Sequence, residues 1–217
     1  ISSKSKFEKK NTEYQMKFSK TNIPDVILCQ PTIFNDERGY FFESFNQEVF
    51  EKHLGKTIHF CQDNEAKSAK GVLRGLHYQL PPYAQSKLVR VISGKVLDIA
   101  VDIRKGSPTF GQYVAIELSE ENKHQLFIPA GFAHGYVVLS DEAVFSYKVD
   151  KYYHKASERG IIFNDAELKI DWKLPAKRII DSVRAFTPNP GAWTSHKGLI
   201  MKIAEATQNS TDQKLQP

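Results

Sequence analysis

Short apolar runs recur along the chain from about residue 17 and predict a succession of β-strands. Valine, isoleucine, leucine and aromatic residues dominate these runs, and clusters of glycine, proline, asparagine, aspartate or serine separate them. No series of periodic helices lies between the runs, as a parallel sheet would require. The pattern therefore predicts an all-β sandwich or barrel.

One stretch of the N-terminal half has helical rather than strand spacing. In NQEVFEKHLG the apolar residues Val49, Phe50 and Leu54 fall on one helical face, and Gly55 supplies the expected helix end. A second, short helix preceded by a proline is predicted within residues 167–186.

Two other segments carry specific predictions. Residues 58–61 predict a strand that runs into a polar loop over 62–71. Residues 87–104 predict a tight antiparallel hairpin, because two runs rich in valine, isoleucine and leucine meet at Ser93 and Gly94.

The two ends of the chain differ in composition from the middle. Residues 1–15 are polar, rich in lysine and serine, and without a period, so they are predicted to be disordered or an extension. Residues 16–172 are expected to form one domain. Residues 173–217 are expected to form an atypical, partly helical segment with a frayed end.

Composition narrows the class of protein. The chain has 217 residues, of which 41% are hydrophobic, enough for a substantial core and too many for global disorder. Its formal net charge of +5 suits a phosphorylated small molecule as well as nucleic acid. The sequence has no apolar run of membrane-spanning length and no signal-peptide pattern, so a cytoplasmic protein is expected. Cys29 and Cys61 are expected to be reduced thiols, although one disulfide stays possible.

Candidate chemistry concentrates in residues 71–104, where ionisable side chains interrupt strands that otherwise read as buried. Arg74 and His77 have opposite parity on a strand, but a bulge at Gly75 would turn them to one cavity. His77 has the near-neutral pKa of a proton carrier, while a structural histidine is the alternative.

The downstream half of the same region is ambiguous. Asp98 and Asp102 have even spacing and share a face. For Asp102 and Arg104, near the strand end, a solvated face is the preferred interpretation. For Lys87 and Asp98, a charged pair in the mouth of a barrel is as plausible as a solvated face.

Residues 129–135, PAGFAHG, form a turn that delivers His134 into the following strand and match half of the cupin metal signature. The other half needs a second histidine cluster, and here His77 is followed by Tyr78 and Gln79. Two isolated histidines are too few ligands, so no bound metal is expected.

Together these motifs resemble the dTDP-4-dehydrorhamnose 3,5-epimerase family. The resemblance covers about residues 16–172, and its motifs are DERGYFFES, QDN, RGLHYQ, KLVRV, VDIRKGSPTFG, IPAGFAHG and the YK pair that begins at Tyr147. It implies a cupin-type jelly-roll barrel with a few short helices. It also implies a homodimer to which the N-terminal strands contribute, and an epimerase without cofactor that inverts carbon 3, carbon 5 or both of a dTDP-4-keto-6-deoxy sugar.

The resemblance also implies roles for individual side chains. His77 would be the base, Tyr147 the acid on the opposite face and Lys87 the cation that stabilises an enolate, and Asp98 is counted with this catalytic set. The remaining expected contacts are to the sugar, phosphates and nucleotide, some of them across the dimer: Arg38, Glu43, Gln62, Asn64, Arg74, His134 and Glu158.

The C-terminal segment departs from the family. The family has an aspartate after Trp172 that holds the catalytic histidine, whereas this chain has Arg184 at that position and Asp181 three residues earlier. A cation there would weaken the base. Residues 170–206 instead resemble part of the C-terminal domain of methionyl-tRNA formyltransferase, without the catalytic domain of such enzymes.

Three alternative functions remain open. A sugar 3,4-ketoisomerase shares the fold and the substrate class, and a nucleotide-sugar binding module would have lost turnover through the altered C-terminal segment. Binding of tRNA is less expected than a solvated basic face, so nucleic acid is not an expected partner. The residues that would serve tRNA binding are Lys177, Arg178, Arg184 and Lys197.

Overall fold

The computed structural model describes residues 16–161 and the backbone of two strands, 192–196 and 199–203. Two antiparallel sheets face each other. The first, in spatial order, comprises β1 (Met16–Lys20), β2 (Ile27–Pro31), β10 (Gln125–Ile128), β7 (Lys87–Ser93), β12 (Glu142–Val149) and β5 (Gln62–Ala69). The second comprises β13 (Glu158–Gly160), β6 (Leu73–Gln79), β11 (Phe132–Val138), β8 (Lys95–Asp102) and β9 (Tyr113–Ser119).

The main core fills the space between these sheets. Val89 and Phe145 of the six-stranded sheet belong to one buried cluster with Ala100 and Val138 of the five-stranded sheet. Alternate residues of each strand therefore point either into this space, here called the inner face, or away from it, the outer face. The all-β jelly-roll prediction is confirmed, and the described strands form two open sheets rather than one closed barrel.

The predicted helix is confirmed as α1 (Gln47–Leu54). The Asn46 side chain accepts a hydrogen bond from the backbone N–H of Val49 at 3.2 Å, and Gly55 ends the helix with φ of +66°. Phe50 is buried against Phe127, with ring centroids 5.3 Å apart, so α1 covers the outer face of the six-stranded sheet. Within the described residues no helix has the length and hydropathy to cross a membrane.

The predicted hairpin over residues 87–104 is wrong. β7 pairs with β10 and β12, whereas β8 pairs with β11 and β9 in the other sheet. Gly94, at φ of +79°, turns the chain from one sheet to the other, and a side chain there would collide with the backbone at Glu142. The apolar runs fit central strands buried on both faces, for which a neighbour in sequence need not be a neighbour in the sheet.

The predicted loop over residues 62–71 is also wrong in most of its length. Gln62–Ala69 form the edge strand β5, and the preceding apolar residues 58–61 are not a strand. Ile58 and Phe60 instead pack in the cluster around α1. The edge strand is polar because its outer face is exposed and its inner face belongs to the polar end of the space between the sheets.

Asp102 does not lie on a solvated face, contrary to the prediction. It is 0% exposed and accepts hydrogen bonds from Arg104 at 2.7 Å, Ser107 at 2.7 Å and Thr109 at 2.6 Å. Arg104 also pairs with Asp25 at 2.7 Å. Although burial opposes ionisation, these hydrogen bonds hold the pKa of Asp102 well below its usual range. The network fixes the loop that follows β8.

Two small hairpins complete the described structure. β3 (Phe34–Asp36) pairs with β4 (Gly39–Phe41), and β14 (Ala192–His196) pairs with β15 (Leu199–Ile203). The hairpin at 192–203 was not predicted.

The helix predicted within residues 167–186 lies outside the described residues, as do Asp181 and Arg184. Cys29 and Cys61 are both free thiols, which is the state that the sequence predicted in preference to a disulfide.

Candidate functional site

A bulge in β6 brings Arg74 and His77 to the same face, as the sequence predicted. His77 pairs with His134 and Arg74 pairs with Tyr136, so two residues of β6 lie opposite Gly135 alone on β11. The strands approach so closely here that a Cβ on Gly75 would lie 2.5 Å from the Cα of Gly135. All four paired side chains therefore share the inner face of the five-stranded sheet.

Lys87 and Tyr147 occupy the inner face of the opposite sheet. They alternate with outward residues on the neighbouring strands β7 and β12, and Tyr147 packs against the main core. The Lys87 ammonium lies 6.0 Å from the centroid of the Tyr147 ring. The imidazole of His77 and the phenol of Tyr147 thus project from facing sheets into one space.

Glu158, at the start of β13, lies within electrostatic range of His77, Lys87 and Tyr147 alike. Its carboxylate accepts a hydrogen bond from the Tyr153 hydroxyl at 2.7 Å. Because one carboxylate influences all three groups, they form a single cluster at one end of the space between the sheets.

The environment keeps His77 neutral at neutral pH. Burial lowers its pKa first, Glu158 opposes that change, and Lys87 and His134 lower the pKa further. The residue nevertheless remains open to solvent on one side. An accessible, neutral imidazole is the form that accepts a proton.

Burial shifts the pKa values of Lys87 and Tyr147, which lie across the site from His77, in opposite directions. It lowers the pKa of Lys87 to about 8, in spite of the opposing carboxylates of Asp98 and Glu158. It raises the pKa of Tyr147, with further upward contributions from Tyr136 and Glu158 and a downward one from Arg74. The phenol therefore stays protonated at neutral pH and can donate a proton.

Asp98 is the partner of His134, not of Lys87. Its Oδ2 lies 2.9 Å from Nε2 of His134, and the two side chains are 0% and 7% exposed. Lys87 and Asp98 make no direct ion pair. The solvated-face interpretation of Lys87 and Asp98 is wrong, because both side chains lie on the inner face and Asp98 is 0% exposed. The charged pair that was the other interpretation is present as an electrostatic attraction without direct contact, since the register of β8 and β11 gives Asp98 a nearer neighbour.

Polar side chains at the rim of the cluster come from both sheets. Gln62 donates to Asn64 at 2.8 Å, and Asn64 lies directly opposite Tyr147 in register. Arg74 reaches across from β6 to β5, where its Nε donates to the Ser68 hydroxyl at 2.8 Å. The structure therefore brings Gln62, Asn64 and Arg74 to the same end as Tyr147.

Arg38 and Glu43 lie elsewhere in this chain. The Arg38 side chain is 84% exposed at the tip of the β3–β4 hairpin and pairs with Asp36. The hairpin and the residues after it lie over the outer face of the six-stranded sheet, where Phe42 contacts Arg90. Glu43 accepts a hydrogen bond from Asn46 at 3.2 Å. Neither residue joins the inner-face cluster of its own chain.

Sequence reasoning missed two polar groups next to the cluster, Ser68 and Tyr136. Tyr136 shares parity with His134 on β11, a signal the sequence did contain. Its position opposite Asp98 depends on strand register, which the sequence alone does not give.

Two observations bear on ligands. Among residues 16–161 there is no group of three or more histidine, cysteine, aspartate or glutamate side chains that could hold a metal ion. A cavity of about 610 Å³ lies on the outer face of the five-stranded sheet, lined in part by Tyr78, Ile103 and Phe110. It is on the opposite side of that sheet from His77.

The geometry suits proton transfer on two faces of one small molecule. A neutral imidazole and a protonated phenol project from opposing sheets, and a cation lies beside them. Such a set can remove a proton α to a carbonyl, stabilise the enolate and return a proton to the other side.

Comparison with known proteins supports the same chemistry. The family model of dTDP-4-dehydrorhamnose 3,5-epimerase matches residues 20–187, and that of the formyl transferase C-terminal domain matches residues 163–217. A dTDP-4-dehydrorhamnose 3,5-epimerase from Shigella flexneri is 60% identical over 157 residues, 72% of this chain and 87% of that protein.

Solved structures agree in fold as well as in sequence. A dTDP-6-deoxy-D-glucose-3,5-epimerase from Legionella pneumophila, in complex with dTDP-4-keto-L-rhamnose, is 53% identical with a TM-score of 0.70 and covers 74% of this chain and 85% of that chain. A dTDP-4-dehydrorhamnose 3,5-epimerase from Bacillus anthracis with TDP and PPi bound is 45% identical with a TM-score of 0.69, covering 74% and 92%. On these matches the chain belongs to the dTDP-4-dehydrorhamnose 3,5-epimerase family.

Proposed function

We propose that the chain epimerises a dTDP-4-keto-6-deoxy sugar at carbon 3, carbon 5 or both, without a cofactor. One observation carries the proposal: a neutral imidazole, an ammonium and a protonated phenol, those of His77, Lys87 and Tyr147, meet between two facing sheets. Relatives at 60% and 53% identity carry epimerase names, and the second was solved with dTDP-4-keto-L-rhamnose.

His77 takes the proton from the carbon next to the ketone. The electron pair of the broken C–H bond moves into the ring, and the charge comes to rest on the carbon 4 oxygen as an enolate. The lowered pKa of His77 supports this role, since the imidazole is free to accept a proton at neutral pH.

Lys87 stabilises the enolate, and Tyr147 completes the inversion. A cation held in a partly dry site lowers the energy of a developing oxyanion far more than it would in water. Tyr147 then gives its proton to the opposite face of the carbon, and exchange with water restores the phenol and the neutral imidazole. Protons and electrons balance without an oxidant, a reductant or a metal.

The polar rim would bind the rest of the substrate. Arg74 and His134 would contact the sugar and phosphates, and the amide and carboxylate groups of Gln62, Asn64 and Glu158 would bind the nucleotide and sugar; the hydrogen bonds of Arg74, Gln62 and Glu158 at the rim support this role. Guanidinium groups suit phosphate because they form two parallel hydrogen bonds.

A homodimer would complete the site. Arg38 and Glu43 lie outside the cluster of their own chain, on a segment whose Tyr40 and Phe41 are each 57% exposed. Exposed aromatic residues on a short edge hairpin suit burial against a second copy of the chain. In this arrangement the hairpin of one protomer brings Arg38 and Glu43 to the nucleotide site of the other.

Incubation with dTDP-4-keto-6-deoxyglucose in deuterated water tests the reaction. Deuterium at carbon 3 and carbon 5 of inverted product is expected for a double epimerase, and deuterium at one carbon only defines a single epimerase. A product with its ketone at carbon 3 and deuterium at carbon 4, with no exchange at carbon 5, would instead identify a 3,4-ketoisomerase. Tight binding of dTDP with no exchange at either carbon would reject turnover and leave a binding module.

A further inference from the structure

Tyr136 lies on the inner face beside the cluster of His77, Lys87 and Tyr147, and it has no role in the mechanism given above. It pairs directly with Asp98 across β11 and β8 and is 4% exposed. Its ring stacks on Phe145, with centroids 4.0 Å apart and planes inclined by 19°. Packing therefore fixes the direction of the hydroxyl.

Oδ1 of Asp98 has no hydrogen-bond partner among the described residues, and the hydroxyl of Tyr136 has no acceptor for its hydrogen there. Ser68 accepts a hydrogen bond from Arg74 and can donate its own hydrogen to the phenol oxygen, which leaves the phenol hydrogen without a partner. An unsatisfied buried polar group costs about 1–3 kcal/mol, so two on neighbouring side chains indicate a shared ligand.

The chemistry of the two atoms defines that ligand. A phenol donates one hydrogen, and a carboxylate oxygen only accepts. They make no direct bond, so the ligand must accept from Tyr136 and donate to Asp98. A single water does both and is the usual partner of isolated buried polar groups.

We propose that Tyr136 is a positioning residue whose hydroxyl, through one buried water, holds Oδ1 of Asp98 while Oδ2 of the same carboxylate holds His134. The inference deepens the proposed epimerase function and rests on it. A carboxylate fixed at both oxygens fixes the plane of the imidazole and the nitrogen that carries its hydrogen.

The effect reaches His77 through His134. These two imidazoles lie side by side on β6 and β11, and His134 is one of the groups that lower the pKa of His77. A His134 ring that is free to turn would change both the field at the base and the wall of the sugar pocket. Tyr136 thus acts on turnover without touching substrate.

A double-mutant cycle tests the coupling. Tyr136→Phe removes one oxygen and is expected to lower kcat for deuterium uptake by about 3- to 10-fold with KM changed less than about 2-fold. Asp98→Asn is expected to lower kcat further, and adding Tyr136→Phe to it is expected to change nothing more. Tyr78→Phe, on the outer face of β6, is the matched control and is expected to behave like the unmutated protein.

Two kinetic results would overturn the inference: unchanged kinetics in Tyr136→Phe, or losses that multiply in the double variant as independent effects do. The water is checked without turnover, in a crystal structure of the ligand-free protein, where density within about 3 Å of both atoms is expected. No ordered water there also overturns the inference. Failure of the unmutated protein to exchange would count against the proposed function, while the crystal structure would still decide the water site.

Discussion

His77 on β6 and His134 on β11 lie directly opposite each other on the inner face of the five-stranded sheet. Within residues 16–161, His134 has a carboxylate, that of Asp98, at hydrogen-bonding distance, and His77 has none. The pair therefore divides two tasks: one imidazole is anchored, and the other is left neutral and open to a substrate. This asymmetry makes His77, of the two, the residue to test as the base.

His77→Asn is expected to lower deuterium uptake from solvent by about 10²- to 10⁴-fold, the usual contribution of a general base. Binding of dTDP is expected to stay within about 3-fold of the unmutated protein, because Asn keeps a polar group of similar reach. Isothermal titration with dTDP and mass spectrometry of the sugar measure the two quantities. His59→Asn, at an exposed position, is the control. Rapid exchange in His77→Asn would exclude the imidazole as the base.

Tyr147→Phe is expected to separate proton removal from inversion. His77 can still remove a proton and return a deuteron to the same face, so uptake with retained configuration is expected to persist. The rate at which inverted product forms is expected to fall by at least about 10²-fold. NMR of the sugar ring distinguishes the two products. Equal loss of both processes would mean that the phenol does not act as the acid on the second face.

The pH dependence of kcat/KM is expected to be bell-shaped. On the acid side activity rises as His77 loses its proton, with a midpoint below the ordinary histidine value of 6.5, because burial lowers its pKa. On the alkaline side activity falls near pH 8, as Lys87 loses the charge that stabilises the enolate.

Lys87→Arg tests the assignment of the alkaline limb. A guanidinium stays charged throughout this range, so the fall near pH 8 is expected to disappear even if the rate at neutral pH is lower. Lys148→Arg, on the outer face of the same sheet, is expected to leave the profile unchanged. An alkaline limb that survives in Lys87→Arg would belong to another group.

Asp102→Asn is expected to destabilise the fold by about 2 kcal/mol or more, since it weakens several hydrogen bonds to a buried charge. The pKa of Asp102 is depressed in the folded protein, so its contribution is present above the ordinary aspartate value and is lost as the pH falls below it. Urea unfolding at pH 7 and pH 3 measures both effects.

The control for Asp102 is Asp141→Asn. The Asp141 side chain is 97% exposed and pairs with Lys70, so a change below about 0.5 kcal/mol is expected. A similar decrease in the free energy of unfolding in both variants would show that the hydrogen bonds to Asp102 stabilise the fold no more than a surface ion pair does.

Local sequence signals predicted the elements that depend on local chemistry. The spacing of Val49, Phe50 and Leu54, closed by Gly55, predicted α1, and the glycine at position 75 predicted the turn of Arg74 and His77 toward one cavity. Each depends on residues only a few positions apart.

Features that depend on distant strands escaped prediction. The two runs within 87–104 look like a hairpin because nothing local shows that they belong to different sheets. The burial of Asp102 depends on Ser107 and Thr109 folding back over it, and the pairing of Asp98 with His134 depends on register. The sequence predicts a loop at β5 because the inner face of this strand is polar and lines the candidate site rather than the core.

The one-residue bulge of β6 has a consequence for variation in this chain. Arg74 and His77 are three residues apart, so without the bulge regular alternation would turn His77 to the outer face, among the apolar side chains there. The bulge depends on Gly75, where a Cβ would lie 2.5 Å from the Cα of Gly135, so a larger residue at this position should be tolerated far less than substitutions at the rim. The backbone conformation of this short spacer, as much as the identity of the imidazole, would then be a requirement for turnover.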